Sequence, residues 1–155
     1  MQIPNLIEYI ASGKLDGVFA MLYPDPIAAR TRYIQNLIAF QGAFGEADVR
    51  LFSAPGRTEI GVNHTDHQNG CVLAAAFHLD VIACAAARRG TIEIRSAGYP
   101  PNRIDLCDLS PARREHGSAD ALVRGVCAYF AKRGYAVGGF CACTASNVTG
   151  GAGLS

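Results

Sequence analysis

The densest cluster of chemically active side chains in this sequence lies at residues 53–70. This segment holds one cation, two imidazoles and one carboxylate: Arg57, His64, His67 and Asp66. Such groups bind polar substrates, stabilise developing negative charge or ligate metals, and a folded core does not require them at this density. Short apolar runs stand on both sides, at residues 49–53 and 71–77. We therefore expect a functional loop that emerges from a strand and is held between rigid elements.

A second candidate site is the glycine-rich stretch at residues 147–155, where Gly150, Gly151 and Gly153 fall within four positions. It follows an apolar run at residues 135–143, which predicts a strand. Successive glycines expose backbone amides that can surround a phosphate, and the positive end of a following helix would favour an anion. Glycine-rich ends also occur simply as chain tails, so this stretch alone leaves both interpretations open.

The elements around these segments are predicted from hydrophobic periodicity. Residues 5–45 carry apolar side chains at helical spacing, and Pro24-Asp25-Pro26 is typical of a helix start. From residue 49 the pattern changes to short apolar runs that favour strands. The predicted strands span residues 49–53, 72–77, 81–86, 91–96, 103–106 and 135–143. Arg89-Gly90 predicts a hairpin turn between the strands at 81–86 and 91–96.

One more helix is predicted between the strands at 103–106 and 135–143. Gly117-Ser118 marks its start and Lys132-Arg133-Gly134 its end. Its apolar positions form one stripe, which consists of Leu122, Val126, Tyr129 and Phe130.

Composition indicates one domain over residues 1–155 with a sizeable core, because half of the 155 residues are apolar. The net charge is +1 and the basic residues are scattered, which argues against a nucleic-acid or anionic-membrane partner. The apolar stretches are too short to span a bilayer, and the amino terminus carries Glu8 where a signal peptide needs apolar residues. We therefore expect a soluble, cytoplasmic protein.

The six cysteines are predicted to be free, because no export signal is present and a chain of this size needs no covalent cross-links. Five of them lie inside apolar runs and are expected to behave as small buried hydrophobes: Cys71, Cys84, Cys107, Cys127 and Cys141. Cys141 and Cys143 are two apart and would share the inward face of a strand. No second Cys or His pair has a spacing that completes a tetrahedral metal site with them.

Two motifs in this order resemble those of the galactokinase branch of the GHMP kinases. Galactokinases carry a signature close to Pro-Gly-Arg-Val-Asn-Leu-Ile-Gly-Glu-His-Thr-Asp-Tyr-Asn, and this sequence has Pro55-Gly56-Arg57 and His64-Thr65-Asp66 at the same separation. Their phosphate loop contains Gly-Ala-Gly-Leu-Ser, which matches residues 151–155. The resemblance covers the whole chain. It implies an α/β (α+β) fold, the ribosomal protein S5 domain 2-like fold of the GHMP-kinase amino-terminal domain, with a mixed sheet packed against helices.

The resemblance also implies a role for each matching residue in an ATP-dependent sugar 1-phosphotransferase of galactose metabolism. Arg57 matches the catalytic arginine that lies against the reacting hydroxyl and the transferred phosphate. His64 and Asp66 match residues that hydrogen-bond the sugar. Gly151, Gly153 and Ser155 match positions that wrap the phosphates of ATP and approach its Mg²⁺. The implied partners are a hexose and ATP.

Several positions depart from the galactokinase pattern. Asn63 stands where the family has a sugar-binding glutamate, and Glu59 stands where it has asparagine. Gly61-Val62 replaces Ile-Gly, and His67-Gln68 replaces Tyr-Asn. Because sugar discrimination depends on which hydroxyls find partners, these changes leave a sugar or polyol substrate expected but its identity open.

The family's catalytic aspartate and its carboxy-terminal domain lie beyond the phosphate loop. We therefore expect residues 1–155 to be the amino-terminal part of a longer kinase, inactive without the missing half. Two other functions stay open. A non-catalytic relative would act as a sugar sensor or regulator, and a hydrolase would bind a metal through His64, Asp66 and His67, with His78 as a further ligand. Read without the resemblance, Arg57 would be a loop cation that pairs with Glu59.

Overall fold

The computed structural model describes residues 1–61 and 69–148. The helices are α1 (Ile3–Ala11), α2 (Asp16–Leu22), α3 (Pro26–Phe44) and α4 (Ala119–Lys132), with a short 3-10 helix at Arg113–Glu115. The strands are β1 (Arg50–Gly61), β2 (Leu73–Arg88), β3 (Thr91–Ser96), β4 (Asn102–Asp105) and β5 (Gly139–Ser146).

The strands form one mixed five-stranded sheet in the order β1-β2-β5-β3-β4. Only β3 and β5 run parallel to each other, and the other neighbouring pairs in this order are antiparallel. The first three helices pack on one face of the sheet, where Leu37 and Phe40 of α3 join Ile82 and Cys84 of β2 in the main core. This architecture confirms the predicted α/β class with a mixed sheet and helices against it.

Helix α3 begins where the sequence predicts it. The Asp25 carboxylate accepts hydrogen bonds from the amides of Ile27 and Ala28, both at 3.0 Å, and Pro26 occupies the first helical position. This cap satisfies two amides that have no partner within the helix. The cap therefore fixes the position at which α3 begins.

The predicted hairpin at Arg89-Gly90 is wrong. The chain does turn there, with Gly90 at φ 73°, but β2 and β3 are not neighbours because β5 lies between them. Gly139, the first residue of β5, lies directly under the turn, and a Cβ on it would come within 2.4 Å of the Thr91 carbonyl oxygen. Only glycine therefore allows β5 to enter at this point.

Two predicted strands differ in extent from those observed. The runs at 72–77 and 81–86 form the single strand β2, because His78 and Asp80 interrupt the apolar pattern without interrupting the backbone pairing. The strand predicted at 135–143 is shifted to Gly139–Ser146. A period-2 pattern reports which side chains are buried, whereas backbone pairing decides where a strand ends.

The cysteines divide into two groups. Cys84, Cys127, Cys141 and Cys143 are buried, as expected for four small apolar side chains, but Cys71 and Cys107 are exposed, contrary to the prediction. Cys71 lies before the start of β2 and Cys107 after the end of β4, so neither belongs to a packed element. Burial, with smaller contributions from Cys143 and Cys141, raises the pKa of Cys84 to about 12. The Cys84 thiol is therefore protonated at neutral pH.

The predicted apolar stripe of α4 lies on the exposed side of the helix. The four side chains of the stripe are 46–74% exposed: Leu122, Val126, Tyr129 and Phe130. The helix instead contacts the second core cluster through Cys127 and Val123, next to Ile92 and Ile104. An uncovered apolar stripe of this size is unusual on a protein surface.

Candidate functional site

Arg57 lies on strand β1, not on a loop. The strand runs through the Pro55-Gly56 pair as far as Gly61, so the predicted start of a loop after Ser53 is wrong. Along this strand Arg57 is opposite Ala76 of β2. A strand position holds the arginine backbone more rigidly than a loop would.

Strand β1 continues through Pro55 because it lies at the edge of the sheet. A proline has no N–H to donate to a neighbouring strand, and in an edge strand the N–H groups on one side have no partner strand. The pairing is irregular here: Pro55 is opposite Asp80 and Arg57 is opposite Ala76, so three residues of β2 stand against Gly56 alone, an excess of two. Such an irregularity changes the direction of the strand locally and so aims the residues that follow.

Arg57 forms an ion pair with Glu59. Its Nη1 lies 2.8 Å from Oε1 of Glu59, and the two residues share one face of β1 because they are two apart. The Glu59 side chain is only 8% exposed, whereas 44% of the Arg57 side chain faces solvent. The guanidinium is thus held at one edge by a carboxylate, and part of the side chain is exposed to solvent.

The predicted sugar-binding residues Asn63, His64 and Asp66 lie outside the described residues, as does His67. The structure describes the chain on both sides of them. It leaves the sheet at Gly61 and is described again from Asn69, which adopts a left-handed conformation with φ 61° before β2 begins at Leu73. The described residues on both sides thus belong to β1 or lead into β2, and these two strands are paired.

The predicted phosphate-binding residues Gly151, Gly153 and Ser155 also lie outside the described residues. Strand β5, which precedes them, runs in the same direction as β1, since both are antiparallel to β2. Ser53 and Ala145 are both opposite Ile82, so the two strands are level at this point. The chain therefore leaves β5 at the same end of the sheet toward which β1 carries Arg57.

A polar cluster at this end of the sheet was not predicted from the sequence. Its centre is the Asp80 carboxylate, whose side chain is 3% exposed. The Oδ2 atom accepts hydrogen bonds from Tyr23 and Ser53, both at 2.5 Å, and Oδ1 accepts one from Arg32. The sequence did contain a sign of this cluster, since Asp80 is a carboxylate inside an otherwise apolar run. A buried charge requires partners, so such a residue predicts a polar cluster.

These contacts set the ionisation of the cluster. Burial by itself raises the pKa of Asp80, but hydrogen bonds from Ser53, Tyr23 and Arg32, together with the Arg32 charge, hold it below its ordinary value. Burial and the Asp80 hydrogen bond raise the pKa of Tyr23 well above that of a free tyrosine. At neutral pH Asp80 is therefore a carboxylate and Tyr23 a neutral hydroxyl donor.

Three of the candidate metal ligands, His64, Asp66 and His67, lie outside the described residues. Within residues 1–61 and 69–148 no group of three or more His, Cys, Asp or Glu side chains could hold an ion. His78, the further ligand considered above, is an exposed residue of β2.

Across the described ranges, residues 1–61 and 69–148, no helix has the length and apolar character needed to cross a membrane.

Comparison with known families identifies the segment that carries Arg57. Residues 38–87 match the family described as the galactokinase galactose-binding signature. The match includes the end of α3, the whole of β1 and nearly all of β2. The predicted resemblance to galactokinases is therefore confirmed over the strand pair that carries the candidate site.

A solved structure with the same fold is that of galactokinase from Lactococcus lactis complexed with galactose. The two chains align with a TM-score of 0.65 at 24% sequence identity. The alignment covers 76% of this chain but only 31% of the Lactococcus chain. The present chain thus has the galactokinase fold over about a third of that protein's length.

Proposed function

We propose that this chain is the amino-terminal part of a galactokinase-like sugar kinase. The observation that carries the proposal is the match of residues 38–87 to the galactose-binding signature, since the matched strand pair holds Arg57. The full-length protein would transfer the terminal phosphate of ATP to a hydroxyl of galactose or a related hexose. We place this activity in the cytoplasm.

Arg57 is the proposed catalytic residue of this chain. A partly exposed guanidinium on a paired strand, held by Glu59, can stabilise negative charge that develops on a transferred phosphoryl group. A guanidinium is a cation that can donate several hydrogen bonds in one plane. It needs no proton transfer for this role.

Asn63, His64 and Asp66 are the proposed sugar-binding residues. They lie within the matched residues 38–87, between strands β1 and β2. Asp66 can accept hydrogen bonds from sugar hydroxyls, and the amide of Asn63 can both donate and accept. We therefore propose that this segment reads the hydroxyl pattern of the hexose.

Gly151, Gly153 and Ser155 are the proposed residues for ATP and Mg²⁺. When bound, ATP supplies the phosphoryl group, and Mg²⁺ neutralises part of the charge on its phosphates. The donor set fits this group, because glycine amides can approach phosphate oxygens closely and a serine hydroxyl is a hard oxygen ligand. These residues follow β5, at the end of the sheet toward which β1 carries Arg57.

We further propose that the chain functions together with a carboxy-terminal half that supplies the catalytic aspartate. Two observations support this. The chain corresponds to 31% of the matched galactokinase, and it exposes two apolar surfaces. One is the α4 stripe, and the other is an open groove of about 790 Å³ on the sheet face opposite α3, lined by Phe52, Ala83, Ala85 and Phe140 among others.

A second candidate function is that of a non-catalytic sugar sensor. The observation that favours it is the ion pair between Arg57 and Glu59, because the carboxylate offsets part of the charge that catalysis would use. Such a protein would bind the hexose without transferring phosphate. The two functions make opposite predictions in one assay.

The test is a kinase assay on the full-length protein with Mg²⁺, ATP and a panel of hexoses, accompanied by calorimetric measurement of sugar binding. Transfer of phosphate to galactose or another hexose supports the kinase. Sugar binding with no phosphate transfer supports the sensor instead. Absence of both would overturn the proposed function. Residues 1–155 alone are expected to transfer no phosphate, because the catalytic aspartate lies outside them.

A further inference from the structure

The polar cluster around Asp80 connects the two strands that lead to the candidate site. On one side, the Asp80 carboxylate accepts a hydrogen bond from Ser53 of β1, four residues before Arg57. On the other side, the Asp80 carbonyl oxygen accepts a hydrogen bond of 3.0 Å from the amide of Asn147, just beyond β5. One residue of β2, the strand between β1 and β5, thus forms hydrogen bonds with both segments.

Arg32 of α3 strengthens the same connection. Its Nη2 donates to two backbone carbonyl oxygens, Asp80 of β2 and Ala145 of β5, each at 2.9 Å, while its Nη1 donates to the Asp80 carboxylate. The planar guanidinium therefore bridges two adjacent strands in a fixed geometry that a lysine could not reproduce. Its side chain is 15% exposed, so solvent competes little with these bonds.

The cluster lies next to the part of β1 that carries Arg57, which suggests a role in the candidate site in addition to a role in folding. Asp80 is opposite Pro55, at the last regular pair before the register of β1 and β2 shifts. The shift determines where β1 carries Arg57, and the Ser53 hydrogen bond holds β1 immediately before it. We propose that Asp80 is a positioning residue that fixes the Arg57 end of β1 relative to the end of β5, and that Arg32 holds β5 in the same arrangement.

The inference rests on the proposed kinase function, since it assigns Arg57 and the segment after β5 to one reaction. Two hydroxyl donors provide a matched pair of variants. Ser53 and Tyr23 donate to the same Oδ2 atom at the same distance of 2.5 Å, but only Ser53 belongs to the strand that carries Arg57. Tyr23 follows α2 and also shares a hydrogen bond with Tyr33.

The experiment compares Ser53→Ala and Tyr23→Phe in the full-length protein. Ser53→Ala is expected to lower kcat roughly tenfold or more with little change in the KM for sugar, because a small displacement of a positioned group is costly in the transition state. Tyr23→Phe is expected to leave kcat near the wild-type value, and Ser53→Thr, which keeps the hydroxyl, should restore it. Equal losses of kcat in Ser53→Ala and Tyr23→Phe would overturn the proposal, since a merely structural role predicts equality.

Arg32→Lys tests the β5 side, because it keeps a positive charge beside Asp80 but loses the bridge between the two carbonyl oxygens. It is expected to raise the KM for ATP severalfold more than the KM for sugar. Equal changes in both KM values would contradict this part of the proposal.

Amide hydrogen exchange gives a readout that does not depend on activity. Ser53→Ala should speed exchange at residues 57–61 more than Tyr23→Phe does, and Arg32→Lys should speed it at residues 144–148. If the wild type transfers no phosphate, the kinase function fails while the exchange rates still decide the positioning role. Unchanged exchange in all variants would overturn that role.

Discussion

Arg57 and Glu59 form an ion pair along one face of the edge strand β1, with 2.8 Å between Nη1 and Oε1. The galactokinase signature given in the sequence analysis has asparagine at the position of Glu59. The proposed catalytic cation is therefore paired with a carboxylate that this signature lacks. Because Glu59 lies on the same face of β1, its carboxylate offsets part of the positive charge that Arg57 could offer to a phosphoryl group.

Replacement of Glu59 by asparagine is expected to raise the turnover of the full-length protein. The change removes a negative charge beside Arg57, so more of the guanidinium charge is available to a phosphoryl group. A partly exposed pair contributes up to about 1 kcal/mol, which limits the gain to roughly fivefold. Steady-state kinetics would measure it, with Glu59→Asp as the control that keeps the charge. Equal turnover in Glu59→Asn and the wild type would show that the pair does not restrain catalysis.

Arg57→Ala is expected to reduce kcat by roughly 10²–10³, as does removal of other groups that stabilise transition-state charge. The affinity for sugar should change much less, because the contribution is greatest in the transition state. Arg50→Ala is the matched control, since Arg50 is an exposed arginine at the beginning of the same strand. A normal kcat in Arg57→Ala would remove Arg57 from the reaction.

Asp66→Ala and Asn63→Glu test sugar selection. Loss of the Asp66 carboxylate should leave a sugar hydroxyl without a hydrogen-bond partner, which typically costs about 1–3 kcal/mol in kcat/KM. Asn63→Glu introduces the residue that galactokinases carry and should shift preference toward galactose. The measurement is relative kcat/KM over a hexose panel. If the wild type and both variants discriminate equally, these residues do not read the sugar.

Acid stability should depend on Asp80. Its pKa is lowered in the folded chain below the ordinary value of 3.8, so the unfolded chain binds a proton more readily in acid. This contribution is fully present above the unfolded pKa and is lost as pH falls through about 4 toward the native pKa. Urea unfolding of Asp80→Asn should therefore show lower stability at pH 7 and a weaker decline in acid. An unchanged acid decline in Asp80→Asn would show that this carboxylate does not control acid stability.

The exposed apolar surfaces predict different dye binding by residues 1–155 and by the proposed longer protein. Residues 1–155 should bind an apolar fluorescent dye through the α4 stripe, and the full-length protein should bind less of it per molecule. Tyr129→Ser with Phe130→Ser should reduce the dye signal of the short chain. An equal signal from the short and long proteins would mean that the missing half does not cover this stripe.

The sequence was sufficient for features that depend on local chemistry. Asp25 followed by Pro26 predicted the start of α3, because a carboxylate cap and a fixed proline φ act within four residues. The spacing of Pro55-Gly56-Arg57 and His64-Thr65-Asp66 likewise predicted the resemblance to galactokinases, which the match over residues 38–87 confirms. The α/β class followed from the change in hydrophobic period near residue 49.

Three features depended on contacts between distant parts of the chain. The turn at Arg89-Gly90 was read as a hairpin because its sequence signal is local, yet β5, about fifty residues later, pairs between β2 and β3. The continuation of β1 through Pro55 required an edge position, which no local pattern specifies. The Asp80 cluster required Arg32, Ser53 and Ala145 to meet from three different elements.

By itself, the sequence determined which residues could perform chemistry and where helices begin, since these depend on side-chain type and short-range geometry. The sequence also offered the pairing of Arg57 with Glu59, which the structure shows. Only the tertiary structure decided that Arg57 stands on a paired strand and not on a loop, and that β1 and β5 run toward the same end of the sheet. The physical reason is that strand pairing and the burial of Asp80 are long-range events. Their free energy comes from partners that approach only when the whole sheet has formed.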